Sequence, residues 1–510
     1  MPTLSPRTIA IIGAGPAGLV SARWLLQHGF EPVIFEASSK PGGQWNPGCA
    51  TSATWLGMRT NTSRIMSAFS DLDHGPDVAT YPRQDQMQAY LERYAATFGI
   101  LRHIRFGTRV ERLERNATGA GDRWLIRSRN QNGTQEETFS HVIVATGAQT
   151  APSVPDIPGV QSFTGALGTA HTAQYAGAAR YRGHAVLVAG CSISALEIAS
   201  ELAWAGVRVM SAYRRQRYIV PKLIAGVPAE HVLFSRAAAL AGEILPQDAL
   251  AAGLKGAVLR AGGHPAQFGA QVPDEHVFAA GISQSQHFLP AVAEGRITVH
   301  PWITHIDRNT VHFADGSCAT PNAILFGTGY GLSLPWLQAE IAETLNFDGK
   351  ALDLYMQTFH PDLEGLAFVG LYNLVGPYLP VLELQARWIA YTLAGHIPMP
   401  SPARMGQGLE DCRQRRQRGQ QPVVHELAIA LARHAGVEPE LDRWPDLERA
   451  LLFGPLSPAS FRLQGPDCQT DAAARTQAAA AAFGAIGDNI MTVEERQLHG
   501  VIAPRPPIAA

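Results

Sequence analysis

The sequence predicts an α/β protein in which two parallel-sheet units, the second inserted in the first, are followed by a helical C-terminal extension. Three observations carry this. A short apolar run at Thr8 to Ile12 leads through a glycine-rich turn into a helix and a second apolar strand. The same pattern returns at Ala185. A length of 510 residues suits roughly three compact units. Charged residues make up 16% and hydrophobic residues 46%, the balance of a globular chain. The formal net charge is −2 with no block of like charges, which argues against a phosphate-backbone partner. Five scattered cysteines without a C-x-x-C pair encode neither a disulfide framework nor a zinc site, and no histidine cluster suggests a metal. The N-terminus has no room for a signal peptide, and no apolar stretch reaches the ~18 residues that span a bilayer. A cytoplasmic protein is expected.

In the first unit, Thr8 to Ile12 feeds Gly13-Ala14-Gly15-Pro16-Ala17-Gly18. Leu19, Ala22, Leu25 and Leu26 then recur at helical spacing up to Gly29, and the strand Pro32 to Phe35 ends in Glu36. This is the opening of a Rossmann-like dinucleotide-binding fold. Gly13 allows the tight turn, Gly15 the close approach of a pyrophosphate, and Gly18 the packing of helix on strand, while Glu36 would hold a ribose hydroxyl. Beyond it, Gly42-Gly43-Gln44-Trp45 forms a loop able to wrap a long cofactor.

In the second unit, Ala185 to Ala189 precedes Gly190-Cys191-Ser192-Ile193-Ser194-Ala195 and a helical run to Gly206. Ser192 stands for the second glycine of the motif and Ala195 for the third, and the hydroxyls of Ser192 and Ser194 would help seat a phosphate at the helix N-terminus. The position corresponding to Glu36 falls on Tyr213, followed by Arg214 and Arg215. An acid there would accept a 2′-hydroxyl, whereas guanidinium groups suit a 2′-phosphate, so NADPH is expected over NADH. Two Rossmann-like units of different preference imply a flavin reduced by a nicotinamide. The closely spaced cysteine pair of a disulfide reductase is missing, so the electrons must go elsewhere.

The sequence resembles the class B flavin-dependent monooxygenases, which comprise flavin-containing N- and S-monooxygenases and their Baeyer–Villiger relatives. The resemblance rests on GAGPAGL at Gly13 to Leu19, GGQW at Gly42 to Trp45, RTN at Arg59 to Asn61, and the block from Tyr81 to Ala95. It continues with ATG at Ala145 to Gly147, RRQRYIVPK at Arg214 to Lys222, FGTGY at Phe326 to Tyr330, and ELQARW at Glu383 to Trp388. Two departures stand out. Phe163, Gly165, His171 and Tyr175 fit the family's F-x-G-x-x-x-H-x-x-x-Y/W stretch only with two extra residues before the histidine, and the terminal Tyr175, where the Baeyer–Villiger branch carries Trp, points toward heteroatom oxygenation. Gly327 replaces the alanine of FATGY, a change expected to matter little.

The resemblance implies FAD and NADPH as cofactors and a small molecule plus O2 as partners, with a homodimer as a further expectation. It implies Asn61 beside the isoalloxazine as the catalytic residue, although an asparagine in a T-N-T-S run is by itself a turn residue. Gly13, Gly15, Pro16, Ala17, Gly18, Glu36, Gln44, Trp45, Thr60, Asn61, Val110, Thr146, Gly147, Ser192, Ser194, Arg214, Arg215, Thr328 and Gln385 are expected to contact a cofactor. The helix after Gly376 to Pro380 would aim its N-terminus at the flavin. The block from Asp85 to Phe98 reads instead as a core helix, with Asp85 and Gln88 resembling a capping box.

The expected layout is a flavin domain in two pieces, 1–160 and 303–397, an inserted NADPH domain at 161–302, and an extension at 398–510. ATG and FGTGY mark the crossings. The Ala- and Gly-rich stretch 225–281 is expected to hold helices and mobile loops. The implied chemistry is a C4a-hydroperoxyflavin that oxygenates a soft nucleophile. Baeyer–Villiger oxygenation of a ketone, or oxygen reduction to peroxide without substrate oxygenation, remain alternatives.

Overall fold

A computed structural model describes residues 8–116 and 123–502. The strand Thr8–Ile12 is buried at every position, as an apolar run in the middle of a parallel sheet must be. It pairs with Glu31–Phe35 on one side and Val142–Val144 on the other. Ile104–Arg105 and Leu366–Phe368 complete a five-stranded, all-parallel sheet. The helix Pro16–Gln27 starts with proline in its first turn, where the missing N–H is harmless, and buries Leu19, Ala22 and Leu25. Against it lies the helix Tyr378–Leu393, with the Trp24 and Tyr391 rings meeting edge to face at 6.3 Å.

The helix Gln84–Thr97 buries Met87, Tyr90, Leu91, Tyr94 and Ala95, the face its periodicity predicts. Its capping differs from expectation. The helix begins before Asp85, the Arg83 backbone N–H donates to Gln86 Oε1 at 3.0 Å, and Asp85 pairs with the Arg83 guanidinium at 2.7 Å. Gln88 turns away to donate to the Pro41 carbonyl at 2.9 Å, because it lies on the face packed against the glycine loop.

A second five-stranded parallel sheet runs in the order Ile297–His300, Arg208–Ala212, Ala185–Ala189, Ala323–Phe326, Gly168–His171. This corrects the expected boundary at 302/303. Ala323–Phe326 is buried throughout and pairs with Val186 to Ala189, so it belongs to the inserted unit. The antiparallel strands Ile303–Asp307 and Thr310–Phe313 belong there too, since Ile303, Val311 and Phe313 pack on Leu187, Ala189 and Phe326. The chain returns to the first unit only at Leu332, Leu334 and Leu337, which pack on Ala10, Ile12 and Val144. At the crossing, Tyr330–Gly331 pairs antiparallel with Ala151–Pro152.

The stretch after Lys222 forms a small hairpin, Leu223–Ile224 with Val227–Pro228, and then the helices Ala229–Leu233, Arg236–Ile244 and Gln247–Gly262. Gln247–Gly262 spreads alanine and glycine around its circumference and carries little hydrophobic contrast. Ala237 and Ala241 pack on Leu452 and Ile502 of the C-terminal extension. The extension also supplies Val424–His434, whose Leu427, Ala428 and Leu431 join the core containing Trp24 and Trp388. Among the described residues, no helix is long and apolar enough to cross a membrane.

Candidate active site

The glycine-rich turn after the first strand opens a cleft of about 360 Å³. Gly13, Gly15, Pro16, Ala17, Glu36, Gln44, Val110, Thr146 and Gly147 all line it. Gly13 sits at φ +105°, and a Cβ there would lie 2.7 Å from the Ala145 carbonyl oxygen. Gly43 crosses so close to Gly15 that its own Cβ would come within 2.9 Å of the Gly15 Cα. The helix behind them has no side-chain N-cap, so its first N–H groups are free to bind phosphate oxygens. Thr146 adds a buried hydroxyl with no partner among the described residues. Glycine approach, open helix terminus and orphaned donor together fit the pyrophosphate and ribose of FAD.

Glu36 is held firmly. Its Oε2 accepts from the Ala14 N–H at 2.8 Å, while its Oε1 accepts from the Ser38 N–H at 2.8 Å and the Ser38 hydroxyl at 2.6 Å. A carboxylate offers about four lone-pair sites, so room remains for one ribose hydroxyl. Gly18 does not line the cleft. A Cβ at Gly18 would lie 1.9 Å from the Gly13 carbonyl oxygen, so its task is helix packing.

Sequence reasoning passed over Cys49, Arg109, Tyr372 and Tyr378, which also line the cleft. Cys49 and Tyr372 sit in loops, Arg109 at a strand start and Tyr378 at a helix start, where no periodicity marks them. Tyr378 and Leu382 bring the uncapped N-terminus of the helix Tyr378–Leu393 to the cleft wall. Burial pushes the Tyr378 phenol up to about 12, so it stays neutral. Its oxygen accepts from the Leu374 N–H at 2.6 Å.

Besides Gly18, two expected contacts are corrected. Gln385 is fully buried and turned inward: its amide donates to the Gln357 carbonyl, Thr358 Oγ1 and the Phe368 carbonyl at 2.7, 2.8 and 3.0 Å. Its Oε1 accepts from the Gly370 N–H and the Tyr372 hydroxyl at 3.1 and 3.2 Å. With both ends engaged it positions Gly370 and Tyr372, which line the cleft, and has nothing left for a cofactor. Trp45 likewise lies in the core, and Gln44 is the residue of that loop that faces the cleft.

The second nucleotide site repeats the first in register. Gly13 N–H donates to the Phe35 carbonyl and Gly190 N–H to the Ala212 carbonyl, each at 2.8 Å, so Tyr213 occupies the place of Glu36. Tyr213 is buried with its hydroxyl donating to Gln216 Oε1 at 2.6 Å. Arg214 and Arg215 are exposed, and neither has a carboxylate partner among the described residues. The Arg214 guanidinium lies 4.8 Å above the Trp302 ring, which pre-orients it at little entropic cost, and Arg215 donates to the Ala279 carbonyl at 3.4 Å. Ser192 Oγ donates to the Gly327 carbonyl at 3.0 Å, while Ser194 stands in the first turn of the helix Ile193–Trp204. Uncompensated guanidinium groups beside a helix N-terminus fit the 2′-phosphate and pyrophosphate of NADPH.

Gly327 matters more than expected. A Cβ on it would stand 2.6 Å from the Ala195 Cβ and 3.0 Å from its Cα. The methyl group missing at position 327 is present on Ala195, the third residue of the degraded glycine motif, so the two positions compensate. Gly327→Ala is therefore expected to destabilise the protein by about 1–3 kcal/mol through overpacking. Adding Ala195→Gly should recover most of that loss, which thermal unfolding of the single and double variants measures.

Asn61 sits half-buried in a bend of the chain and, like Thr60, is not among the residues that line the first cleft. Thr60 Oγ1 donates to the Thr62 carbonyl at 2.8 Å, and the Thr60 N–H donates to the Pro82 carbonyl at 2.9 Å. No hydrogen bond holds the Asn61 side chain among the described residues, so it is not spent on a local turn. Thr328 Oγ1 donates to the Ser153 carbonyl at 2.5 Å, which ties together the two crossings between the units. His171 sits beside them, its Nε2 3.0 Å from the Gly329 oxygen, and burial lowers its pKa. Tyr175 is buried and donates to Glu201 Oε1 at 2.9 Å.

Comparison with known proteins agrees with this geometry. The model of the FMO-like family, flavin-binding monooxygenase-like proteins, matches residues 6–482. A dimethylaniline monooxygenase [N-oxide-forming] 2 from Cavia porcellus is 27% identical over 487 residues, covering 90% of this chain and 89% of that protein. Flavin-containing monooxygenase 5 from the same species is 27% identical, with 91% and 90% covered. Among solved structures, S-allyl-L-cysteine S-oxygenase from Allium sativum matches with TM-score 0.62 and 24% identity over 86% of this chain and 90% of that one. Cyclohexanone monooxygenase from Rhodococcus sp. Phi1, bound to NADP+, matches with TM-score 0.61 and 18% identity over 85% and 98%. Two Rossmann-like units with an acid at the first strand end and arginines at the second, in a chain matched almost end to end, make this protein a member of the FMO-like flavin-binding monooxygenase family, using FAD and NADPH.

Proposed function

We propose that this enzyme oxygenates a soft nucleophile, an amine nitrogen or a sulfide sulfur, of a small molecule. The observation that carries the choice is its likeness to N-oxide-forming relatives over nine-tenths of the chain, supported by Tyr175 at the end of the linker stretch. FAD, once reduced by NADPH, supplies the activation of O2. The protein's part is to bind, orient and exclude water. Gly13, Gly15 and the helix N-terminus hold the flavin pyrophosphate, Glu36 a ribose hydroxyl, and Arg214 and Arg215 the 2′-phosphate of NADPH. Asn61, whose amide is unpaired among the described residues, would offer the reacting centre a group able to both donate and accept. The scattered cysteines of a reducing compartment support a cytoplasmic place of action.

The test supplies the purified enzyme with NADPH, O2 and, in turn, a tertiary amine, a thioether and a cyclic ketone. N-oxide or sulfoxide is the expected product. Lactone alone would assign the enzyme to ketone oxygenation, and peroxide equal to NADPH consumed with all three would make it an oxidase. Asn61→Ala is expected to keep FAD and still oxidise NADPH while product per NADPH falls about 100-fold or more, the scale for losing one preorganised polar group at a reacting centre. Product and peroxide assayed in parallel check this.

A further inference from the structure

Among the described residues the Asn61 side chain makes no hydrogen bond, yet both of its flanks are fastened by one segment of the inserted unit. On one side the Lys222 ammonium lies 3.5 Å from the Thr60 carbonyl oxygen and 2.8 Å from Glu197 Oε2. Glu197 belongs to the helix Ile193–Trp204 that opens the NADPH site, and its other oxygen accepts from the Ser285 hydroxyl at 2.9 Å. The Tyr81 hydroxyl donates to the Lys222 carbonyl at 2.6 Å, closing this side against the first unit. On the other side Glu230 Oε1 accepts from the Ser63 N–H at 2.5 Å, and His231 Nε2 lies 3.0 Å from Ser63 Oγ.

Glu230 and His231 are 1% and 3% exposed. Glu230 Oε2 and His231 Nδ1 find no partner among the described residues, so both side chains leave polar capacity unsatisfied in the interior. Burial alone would favour apolar residues at these positions. What the two side chains do have is the Ser63 backbone and hydroxyl. The Phe483 ring of the C-terminal extension meets the His231 ring edge on at 5.3 Å and covers it.

We propose that Lys222, Glu230 and His231 are positioning residues that hold the Asn61 turn from the NADPH-binding unit, so that the placement of the Asn61 amide follows the placement of that unit. The proposal rests on the role given to Asn61 above. The anchors fall on Thr60 and Ser63, on both sides of Asn61 and never on it. That is how a side chain is placed while its own donors and acceptor stay available. It also gives the segment after Arg215 a task that its weak periodicity does not reveal.

The FAD-loaded enzyme tests this by hydrogen exchange and by coupling. Glu230→Ala and Lys222→Met are each expected to raise exchange at the Thr60 to Arg64 amides about tenfold and to increase peroxide released per NADPH several-fold. Glu230→Gln keeps an acceptor for the Ser63 N–H and should stay within about twofold of the parent on both readings. Added to Asn61→Ala, Glu230→Ala should leave the peroxide yield where Asn61→Ala already put it, because both act through the same side chain. If Glu230→Ala fails to fold, Lys222→Met, which keeps the side-chain volume, carries the same comparison. Lys222→Met and Glu230→Ala as well coupled as the parent, beside an uncoupled Asn61→Ala, would overturn the positioning role and leave the Asn61 assignment standing. A coupled Asn61→Ala would overturn both. Additive peroxide yields in the double variant would show that Glu230 works by another route and overturn the proposal as stated.

Discussion

Gly13→Val is expected to yield a protein that purifies without flavin. The residue sits at φ +105°, a conformation that a β-branched side chain reaches only under strain, and its Cβ would meet the Ala145 carbonyl oxygen at 2.7 Å. That carbonyl belongs to the Ala145 to Gly147 turn, which lines the same cleft, so the clash cannot be relieved by moving a flexible side-chain end. Strain and displaced backbone together should cost about 3 kcal/mol or more, which is over 100-fold in flavin affinity. The flavin-to-protein absorbance ratio after gel filtration measures it. Full retention of FAD would mean that the first glycine does not set the approach of the pyrophosphate.

Arg214→Ala is expected to weaken NADPH about 10- to 100-fold while changing NADH less than about twofold, the range of one charge-assisted hydrogen bond. Among the described residues the guanidinium has no carboxylate partner, and it stacks over Trp302, so its removal breaks no ion pair there. Arg215→Ala should act in the same direction. Because the contact is exposed, the preference for NADPH over NADH should also shrink as salt rises. KM values for the two nucleotides at two ionic strengths decide the matter. Equal losses for both would place the 2′-phosphate elsewhere.

These two residues also show how differently the two sites could be read. Gly13 lies in an intact glycine pattern with an acid at the next strand end, and the cleft appears where that pattern puts it. The second pattern is degraded, yet Tyr213 takes the place of Glu36 because the strands pair in the same register in both sheets. Strand-period and glycine-turn signals are local, and local signals survive in a single sequence.

Other features were hidden because their causes are distant in the chain. Gln385 looks like any polar residue on a helix, and only the meeting of Gln357, Phe368 and Gly370 around it turns both ends of its amide inward. Gly327 looks like a neutral replacement until Ala195 is found against it. The boundary at 302/303 failed for the same reason: Ala323–Phe326 is an apolar run that suits either sheet, and pairing alone assigns it to the second.

The sequence by itself determined that the protein has two dinucleotide-binding units and to which family it belongs, because each rests on residue types at short, regular spacing. The tertiary structure decided where one unit ends, which polar residues face the cleft, and what surrounds Asn61. Those depend on groups brought together over long loops. Glu230 and Ser63 form a hydrogen bond between two units of the fold, and no spacing rule links positions that far apart.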